Sequence, residues 1–319
     1  MTGEFKKILV VGAGTMGHGL AQIFAQGGYD VAMFSRTQQT LDRADTLIRS
    51  SLNTMVEAGL VKKGDISHIM ARIKPTRSLE EGARDADLAL ETVVENREAK
   101  QEIFTHLDTA CPPRTILACN SSFLNIFDFV RTSRPEKILM VHFYAPPQII
   151  PLVDVVKGPQ TGETSVQRVM QLLKSMSKKP ILFNKPLAGY VVSRLMIAYQ
   201  RELYYLLDND YLSPEAMDEA VIWGLAMRMV VVGGLQRIDF GGLDLSASGL
   251  ARAGQSTPPD YKPKKLLELV EKGYTGVKAG KGFYDYQGRS EAEVCHDRDV
   301  RLLKLLKFLQ DNDVAGPVP

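Results

Sequence analysis

A short apolar run, Lys7 to Val11, passes straight into G-A-G-T-M-G at residues 12–17, and this junction restricts the chain more than any other stretch of it. The run is rich in β-branched residues and reads as a strand. The glycines then have separate tasks. Gly12 allows a tight turn. Gly14 lets backbone approach a pyrophosphate, which sits on the N-terminus of the helix that follows. Gly17 lets that helix pack close to the strand. A lone G-x-G-x-x-G is a weak signal. Here Gly19-Leu20-Ala21-Gln22-Ile23-Phe24 continues as a helix with small residues on one side, and Tyr29 to Phe34 reads as a second strand. The strand–turn–helix–strand context predicts a dinucleotide-binding unit, with Gly12, Gly14, Thr15, Met16 and Gly17 as its cradle.

The second strand ends in Ser35-Arg36-Thr37. An NAD-binding unit usually places an acid about 20 residues after the first glycine, to hold the ribose 2′-hydroxyl. No acid stands here. Ser35 and Thr37 can bond a 2′-phosphate, and Arg36 can pair with it and lie against the adenine. A carboxylate would repel that phosphate. The cofactor expected is therefore NADP(H) in preference to NAD(H).

Further strands are expected at Asp87–Val94, Thr115–Ala118, Ile138–Val141, Pro151–Val156 and Lys179–Phe183, with helices from Leu41 to Gly59, from about Arg97 and from Glu163 to Met176. The basic stretch holding Lys62, Lys63, Arg72, Lys74 and Arg77 could meet a phosphorylated carrier, though such a stretch is more often a solvated face. From Tyr190 onward the spacing is helical. Ser213-Pro214-Glu215 is a helix start, Trp223–Gly234 is a strongly apolar helix end expected at an interface, and the last helix is expected over Asp297–Asp311. Arg228, inside that apolar stretch, would need an anionic partner. The fold class is α/β: a Rossmann-type N-terminal domain over residues 1–185 and an all-helical C-terminal domain over 186–319, a length ample for two cores.

Composition narrows the function classes. The net charge is +2, which gives no reason to expect a nucleic-acid partner. No apolar run approaches the roughly 20 residues of a membrane span. The start, M-T-G-E-F-K-K, has no apolar leader, and three scattered cysteines form no disulfide framework, so a cytoplasmic protein is expected, with Ala315–Pro319 frayed. No His/Cys cluster suggests a metal. His18, one residue past the fingerprint, could face the cofactor, but solvent is the expected side.

The stretch M-V-H-F-Y-A-P-P-Q-I-I-P-L-V-D-V-V, residues 140–156, carries His142 and Asp154. A histidine leaving a strand, a stiff proline turn and a second strand bearing an acid can make a base and its orienter. The plain alternative is a strand-end histidine with an unrelated acid. By the carboxyl-end rule for open α/β sheets, Cys119-Asn120-Ser121-Ser122 should lie beside the cofactor.

Taken together, G-A-G-T-M-G-H-G-L-A, V-V-E-N-R-E-A-K, C-N-S-S-F-L, V-H-F-Y-A-P-P with I-P-L-V-D-V-V, A-G-Y-V-V-S-R-L and G-V-K-A-G-K-G-F-Y-D-Y resemble the 3-hydroxyacyl-CoA dehydrogenase family over nearly the whole chain. More distantly, the chain resembles the family's λ-crystallin and L-gulonate dehydrogenase relatives. The resemblance implies a helical second domain that forms a homodimer. It implies that Glu95 and Lys100 line the nicotinamide-side ribose, that Asn120 and Ser122 contact cofactor and substrate hydroxyl, and that His142 is the catalytic base. Asp154 stands where the family has a glutamate paired with that histidine. Lys281 matches a lysine near the cofactor.

Three positions depart from the family pattern. Ala145 and Ser193 replace asparagines that help hold the substrate, and Ala188 replaces a proline. Alanine cannot hydrogen-bond through its side chain and serine reaches less far. Losing a polar interaction of this kind costs about 1–3 kcal/mol. Ala145, Ser193, Ser122 and Arg228 are the candidate substrate positions. The expected reaction is reversible hydride transfer between the nicotinamide cofactor and a small-molecule hydroxyacyl or hydroxy-acid substrate. The substrate is either a 3-hydroxyacyl-CoA or a small non-CoA hydroxycarboxylate. A non-catalytic descendant, crystallin-like or cofactor-sensing, is the reading from another class.

Overall fold

The computed structural model describes residues 5–241, 243, 258 and 260–312. The sequence expectations for the first four residues and for Ala315–Pro319 lie outside these. The chain divides into two units, Met1–Val191 and Val192–Pro319.

The first unit is built on one sheet of eight strands: β1 (Lys7–Val11), β2 (Asp30–Phe34), β3 (Ile73–Thr76), β4 (Leu88–Glu91), β5 (Ile116–Cys119), β6 (Ile138–Phe143), β7 (Leu152–Lys157) and β8 (Lys179–Phe183). Their spatial order is β3-β2-β1-β4-β5-β6-β7-β8. Every neighbouring pair is parallel except β6–β7. The chain moves outward from β1 in one direction to β3, then returns to β4 on β1's other side. That reversal opens a crevice at the carboxyl ends of β1 and β4, where α/β sheets take their ligands.

β1 shows why the sheet is buried on both faces. Ile8 and Val10 pack in one core layer with Leu20 and Phe24 of helix α1 (Gly17–Gln26). Leu9 and Val11 pack in the opposite layer with Phe104 and Leu107 of the helix Arg97–Ala110. All four β1 residues are fully buried. Burying each such side chain contributes about 1.5–3 kcal/mol. The remaining helices of this unit are α2 (Gln38–Glu57), α3 (Asp65–Ala71), α4 (Leu79–Ala83), α5 (Arg97–Ala110) and α6 (Glu163–Ser175).

The basic stretch read as a solvated face is partly structured: it contains α3 and the edge strand β3. Only Ile73 of β3 is buried, so the strand lacks an apolar pattern, and Pro75 is tolerated because β3 is an edge.

The second unit holds α7 (Tyr190–Asp208, whose first two residues belong to the first unit), α8 (Pro214–Glu219), α9 (Met227–Gly241), α10 (Lys264–Glu271) and α11 (Glu291–Asn312). Ser213 caps α8 through a bond from the Ala216 amide. The apolar stretch expected to close a helix is followed by a break at its expected end: Gly233, with φ +70° and ψ −175°, is not helical and interrupts α9. π-type turns over Ala220–Ala226 lead into α9. Trp223 is 70% exposed. Arg228 is exposed on α9, so the expected penalty for an unpaired buried cation does not arise within the chain. The last helix starts six residues earlier than expected, at Glu291 rather than Asp297. Ser290 and Glu293 form a reciprocal capping box: the Ser290 hydroxyl accepts from the Glu293 amide and the Glu293 carboxylate accepts from the Ser290 amide. Among the described residues, no helix is long and apolar enough to cross a membrane.

Candidate active site

The crevice at the carboxyl ends of β1, β2, β4 and β5 is a cavity of about 560 Å³. Its floor is the glycine turn. Gly12 has φ +114°, a region that strains any side-chain-bearing residue. At Gly14 a Cβ would meet nothing within 4 Å, so the backbone faces open space. At Gly17 a Cβ would lie 1.8 Å from the Gly12 carbonyl oxygen, so only glycine lets α1 start here. No side chain caps α1, and its first turn holds no acid. The His18 amide makes a long 3.4 Å bond to the Gly14 carbonyl, and the macrodipole at this uncapped end favours an anion. Open backbone beside an uncapped ten-residue helix fits the pyrophosphate of a dinucleotide.

Of the residues expected to bind cofactor, Gly12, Gly14, Thr15, Met16, Ser35 and Arg36 line this cavity together with Glu95, Lys100, Asn120 and Ser122. Gly17 lies behind the turn. Thr37 is not on the wall. It caps α2, its hydroxyl accepting from the Thr40 amide, and it is Thr40 that lines the cavity. His18 does not face solvent freely. Its ring is half-buried, Nδ1 lies 2.9 Å from the Gly14 carbonyl, and burial lowers its pKa.

Beneath the cavity lies a buried charge cluster. Glu91, at the end of β4, is fully buried, and Lys100 of α5 donates to both its oxygens at 2.8 Å. The Val93 amide and the Cys119 thiol also donate to Glu91, at 2.7 and 2.9 Å. Burial disfavours the Lys100 ammonium, but the negative groups around it outweigh burial and raise its pKa. Burial pushes the Cys119 thiol well up, so the carboxylates supply that negative charge. The family resemblance assigns Lys100 to a cofactor ribose, yet its ammonium is committed to Glu91. Glu95 is 3.8 Å from the same ammonium. It also accepts from the Ser121 hydroxyl and from the amides of Phe123 and Leu124. Burial works to raise its pKa, and these donors overcome it and hold the carboxyl below its ordinary value. Glu95 thus ties down the loop that carries Ser122.

His142 lies on β6 directly opposite Asp154 on antiparallel β7. Side chains of facing residues share a side of the sheet, so the register alone brings the two together. His142 Nδ1 is 3.3 Å from Asp154 Oδ2, and both side chains are buried. A carboxylate only accepts, so Nδ1 carries a proton, and in the neutral imidazole Nε2 presents its lone pair. Nε2 is 3.0 Å from the Ser122 hydroxyl, which donates to it when the ring is neutral. The imidazole is held between two tyrosines: Tyr190 stacks on it at 4.3 Å and 17°, and Tyr144 meets it edge-on at 4.7 Å and 77°. Tyr190 also donates to the Ser121 carbonyl at 2.7 Å. The resemblance places Asn120 beside the substrate hydroxyl. It lines the cavity, but its side-chain carbonyl accepts from the Phe143 amide at 2.8 Å and so fastens β5 to β6 next to the histidine. Ala145 is exposed on the loop after β6.

The other named positions lie in the second unit. Ser193 is half-buried in the first turns of α7. Lys281 pairs with Asp285 at 3.1 Å and lies 5.1 Å from the Tyr274 ring centre. Sequence reasoning missed Glu91, Tyr144 and Tyr190. The available signals were an acid closing a fully apolar strand pattern, and tyrosines inside motifs that were read for other residues.

The family model described as 3-hydroxyacyl-CoA dehydrogenase, NAD binding domain, matches residues 7–186, and its C-terminal domain model matches residues 189–286. A probable 3-hydroxybutyryl-CoA dehydrogenase of Bacillus subtilis is 35% identical over 291 residues, covering 90% of this chain and 99% of its own. The 5-formyl-3-hydroxy-2-methylpyridine 4-carboxylate 5-dehydrogenase of Mesorhizobium japonicum is 27% identical over 311 residues, covering 97% and 99%. A crystal structure of the dehydrogenase of that pyridine compound, described as an NAD+ dependent dismutase, superposes with a TM-score of 0.84 at 25% identity, covering 96% of this chain and 99% of that one.

Proposed function

The chain belongs to the 3-hydroxyacyl-CoA dehydrogenase family, a nicotinamide-dependent oxidoreductase of hydroxyacyl or hydroxy-acid compounds, and we propose that His142 is the general acid and base of its reaction. One observation carries the proposal: Nε2 of a buried histidine, its tautomer fixed by Asp154, lies 3.0 Å from a hydroxyl on the wall of the dinucleotide cavity. When bound, the nicotinamide supplies the hydride acceptor for oxidation or the donor for reduction. The rest falls to side chains. A secondary alcohol held by Ser122 gives its proton to Nε2 as its carbon is oxidised. Asp154 stabilises the imidazolium that results. In the reverse direction the imidazolium returns the proton to the ketone oxygen.

For the dinucleotide, we propose NADP(H). Ser35 and Arg36 line the cavity at the end of β2. The carboxylates on the cavity wall, Glu95 and Glu102, come from the β4–α5 segment instead. An exposed guanidinium at that strand end suits a 2′-phosphate. For the substrate, a 3-hydroxyacyl-CoA is the first reading. A small non-CoA hydroxycarboxylate is the second, favoured by Ala145 in place of a polar side chain and by the likeness to the pyridine-carboxylate enzyme over 97% of the chain. A homodimer through the second unit is supported by exposed apolar residues there, including Leu195, Trp223, Leu235 and Phe240.

The test is reduction of acetoacetyl-CoA, and of acetoacetate as its non-thioester counterpart, followed by nicotinamide absorbance with NADPH and NADH in parallel. Turnover is expected with NADPH preferred, and His142→Ala is expected to remove turnover while leaving dinucleotide binding intact. Full activity in that variant sinks the general-base assignment. Equal KM for the two dinucleotides refutes the cofactor choice. Tight binding without turnover of any hydroxy acid or ketone marks a non-catalytic descendant.

A further inference from the structure

Tyr144 follows His142 by two residues, where β6 has just ended. Its hydroxyl donates to Asp154 Oδ2 at 2.6 Å. The same oxygen faces His142 Nδ1 at 3.3 Å. Asp154 is 0% exposed, and its other oxygen, Oδ1, has no hydrogen-bond partner among the described residues. A buried carboxylate therefore holds two donors through one oxygen, and the phenol makes the shorter contact. A 2.6 Å O–H···O bond to a carboxylate is in the strong, charge-assisted class, whereas 3.3 Å is long for N–H···O. The last torsion of an aspartate is broad, so the side chain alone does not fix the plane of its carboxylate. The phenol, bonded to the oxygen that faces the imidazole, fixes it.

We propose that Tyr144 is a positioning residue for proton transfer, one that fixes the plane of the Asp154 carboxylate against His142 Nδ1 and so keeps Nε2 unprotonated toward Ser122. The assignment rests on His142 being the general base. It also accounts for the short arm of Asp154: an aspartate that reaches Nδ1 only at 3.3 Å depends on a second donor to keep its orientation. Tyr190 does not duplicate this role. Its hydroxyl is bonded to the Ser121 carbonyl, and it holds the imidazole by stacking. Loss of the Tyr144 hydroxyl therefore leaves the ring sandwiched and frees the carboxylate.

The experiment compares full-length wild type, Tyr144→Phe, Asp154→Asn, the double variant and His142→Gln. Phenylalanine keeps the edge contact with the imidazole and removes only the hydroxyl. Reduction of acetoacetyl-CoA, or of acetoacetate, is expected to show a kcat in Tyr144→Phe lower by about 10–100-fold, with KM and the dinucleotide dissociation constant unchanged. The double variant is expected to be no slower than Asp154→Asn alone, because the tyrosine acts through that carboxylate. ¹⁵N-histidine spectra at pH 9, with the His142 signals assigned by their loss in His142→Gln, supply a readout that needs no turnover. Wild type is expected to show the Nδ1–H tautomer, and Tyr144→Phe a mixture. An unchanged tautomer in Tyr144→Phe overturns the proposal. So does a kcat within twofold of wild type, or a double variant whose loss is the product of the two single losses. Wild-type activity in His142→Gln instead overturns the general-base reading beneath it.

Discussion

Lys100→Met tests how the floor of the dinucleotide cavity is held. Lys100 is 1% exposed and Glu91 is 0% exposed, with both carboxylate oxygens 2.8 Å from the ammonium. Methionine keeps most of the length and removes the charge. Glu91 is then left buried with only the Val93 amide and the Cys119 thiol as donors. Breaking a buried ion pair from one side destabilises by about 3–5 kcal/mol, because a charge remains uncompensated. In a unit of this size each kcal/mol lowers the thermal midpoint by roughly 2–4 °C, so a fall of about 6–20 °C is expected. The double variant Glu91→Gln/Lys100→Met removes both charges and is expected to recover most of that loss. Urea unfolding followed by circular dichroism at pH 7.5 gives the free energies, and nicotinamide fluorescence gives dinucleotide affinity in the same samples. Lys100→Met within about 1 kcal/mol of wild type would refute the reasoning, that margin being well under the 3–5 kcal/mol expected of a broken buried pair. A loss of affinity with stability intact would give Lys100 the ribose contact that the family resemblance implies.

Two further outcomes follow from the same geometry. Gly17→Ala places a methyl 1.8 Å from the Gly12 carbonyl oxygen, backbone that can move only by opening the turn. Overpacking of about 1–3 kcal/mol predicts a dinucleotide affinity lower by roughly 5–150-fold in a fluorescence titration, and unchanged affinity would contradict the close approach of α1. Lys178 is buried, and burial pushes its ammonium down from 10.5 to about 8. Between those pH values the unfolded chain binds more protons than the folded one, so this group makes stability rise with pH across that window. Below pH 8 its full penalty is present, about 3 kcal/mol at 1.36 kcal/mol per unit. Measured by urea unfolding at pH 7.5 and pH 10, the stability of wild type relative to Lys178→Met should improve by up to that amount, and a flat difference would refute it.

The dinucleotide cradle was legible because its signal is local. Three glycines, the strand before them and the helix after them lie within about one βα unit, and each glycine has its own steric reason. His142 and Asp154 were legible as a candidate pair, but not as neighbours, since only the β6–β7 register sets them face to face. Glu91 was illegible as a partner for Lys100 because it lies nine positions before it, across a strand end and a helix start, a spacing that matches no local rule. β3 escaped because an edge strand with one buried residue carries no alternation. Asn120 and Lys100 show the limit of carrying roles over by motif. Both stand on the cavity wall, and both spend their strongest hydrogen bonds on the protein itself.

The same distinction bears on Ala145. The strands that carry His142 and Asp154 are fixed by their own ladder, by Asn120 on the β5 side, and by Lys178, whose ammonium donates to the carbonyls of Pro147 and Ile150 at 2.5 and 3.0 Å. The loop between the strands is thus anchored at two points. Pro147 also lies where any side chain at position 19 would collide, with its Cγ 2.7 Å from the position a Cβ would take on Gly19. Ala145 is an exposed member of this pinned loop and takes part in none of these anchors. Its side chain can therefore change without moving the histidine or the acid. On the proposed reaction, a frame of this kind separates His142 and Asp154 from the residues that would meet the rest of the substrate. An alanine in place of a polar side chain at position 145 would then change the binding of a hydroxy compound by about 1–3 kcal/mol, while leaving His142 and Asp154 where they are.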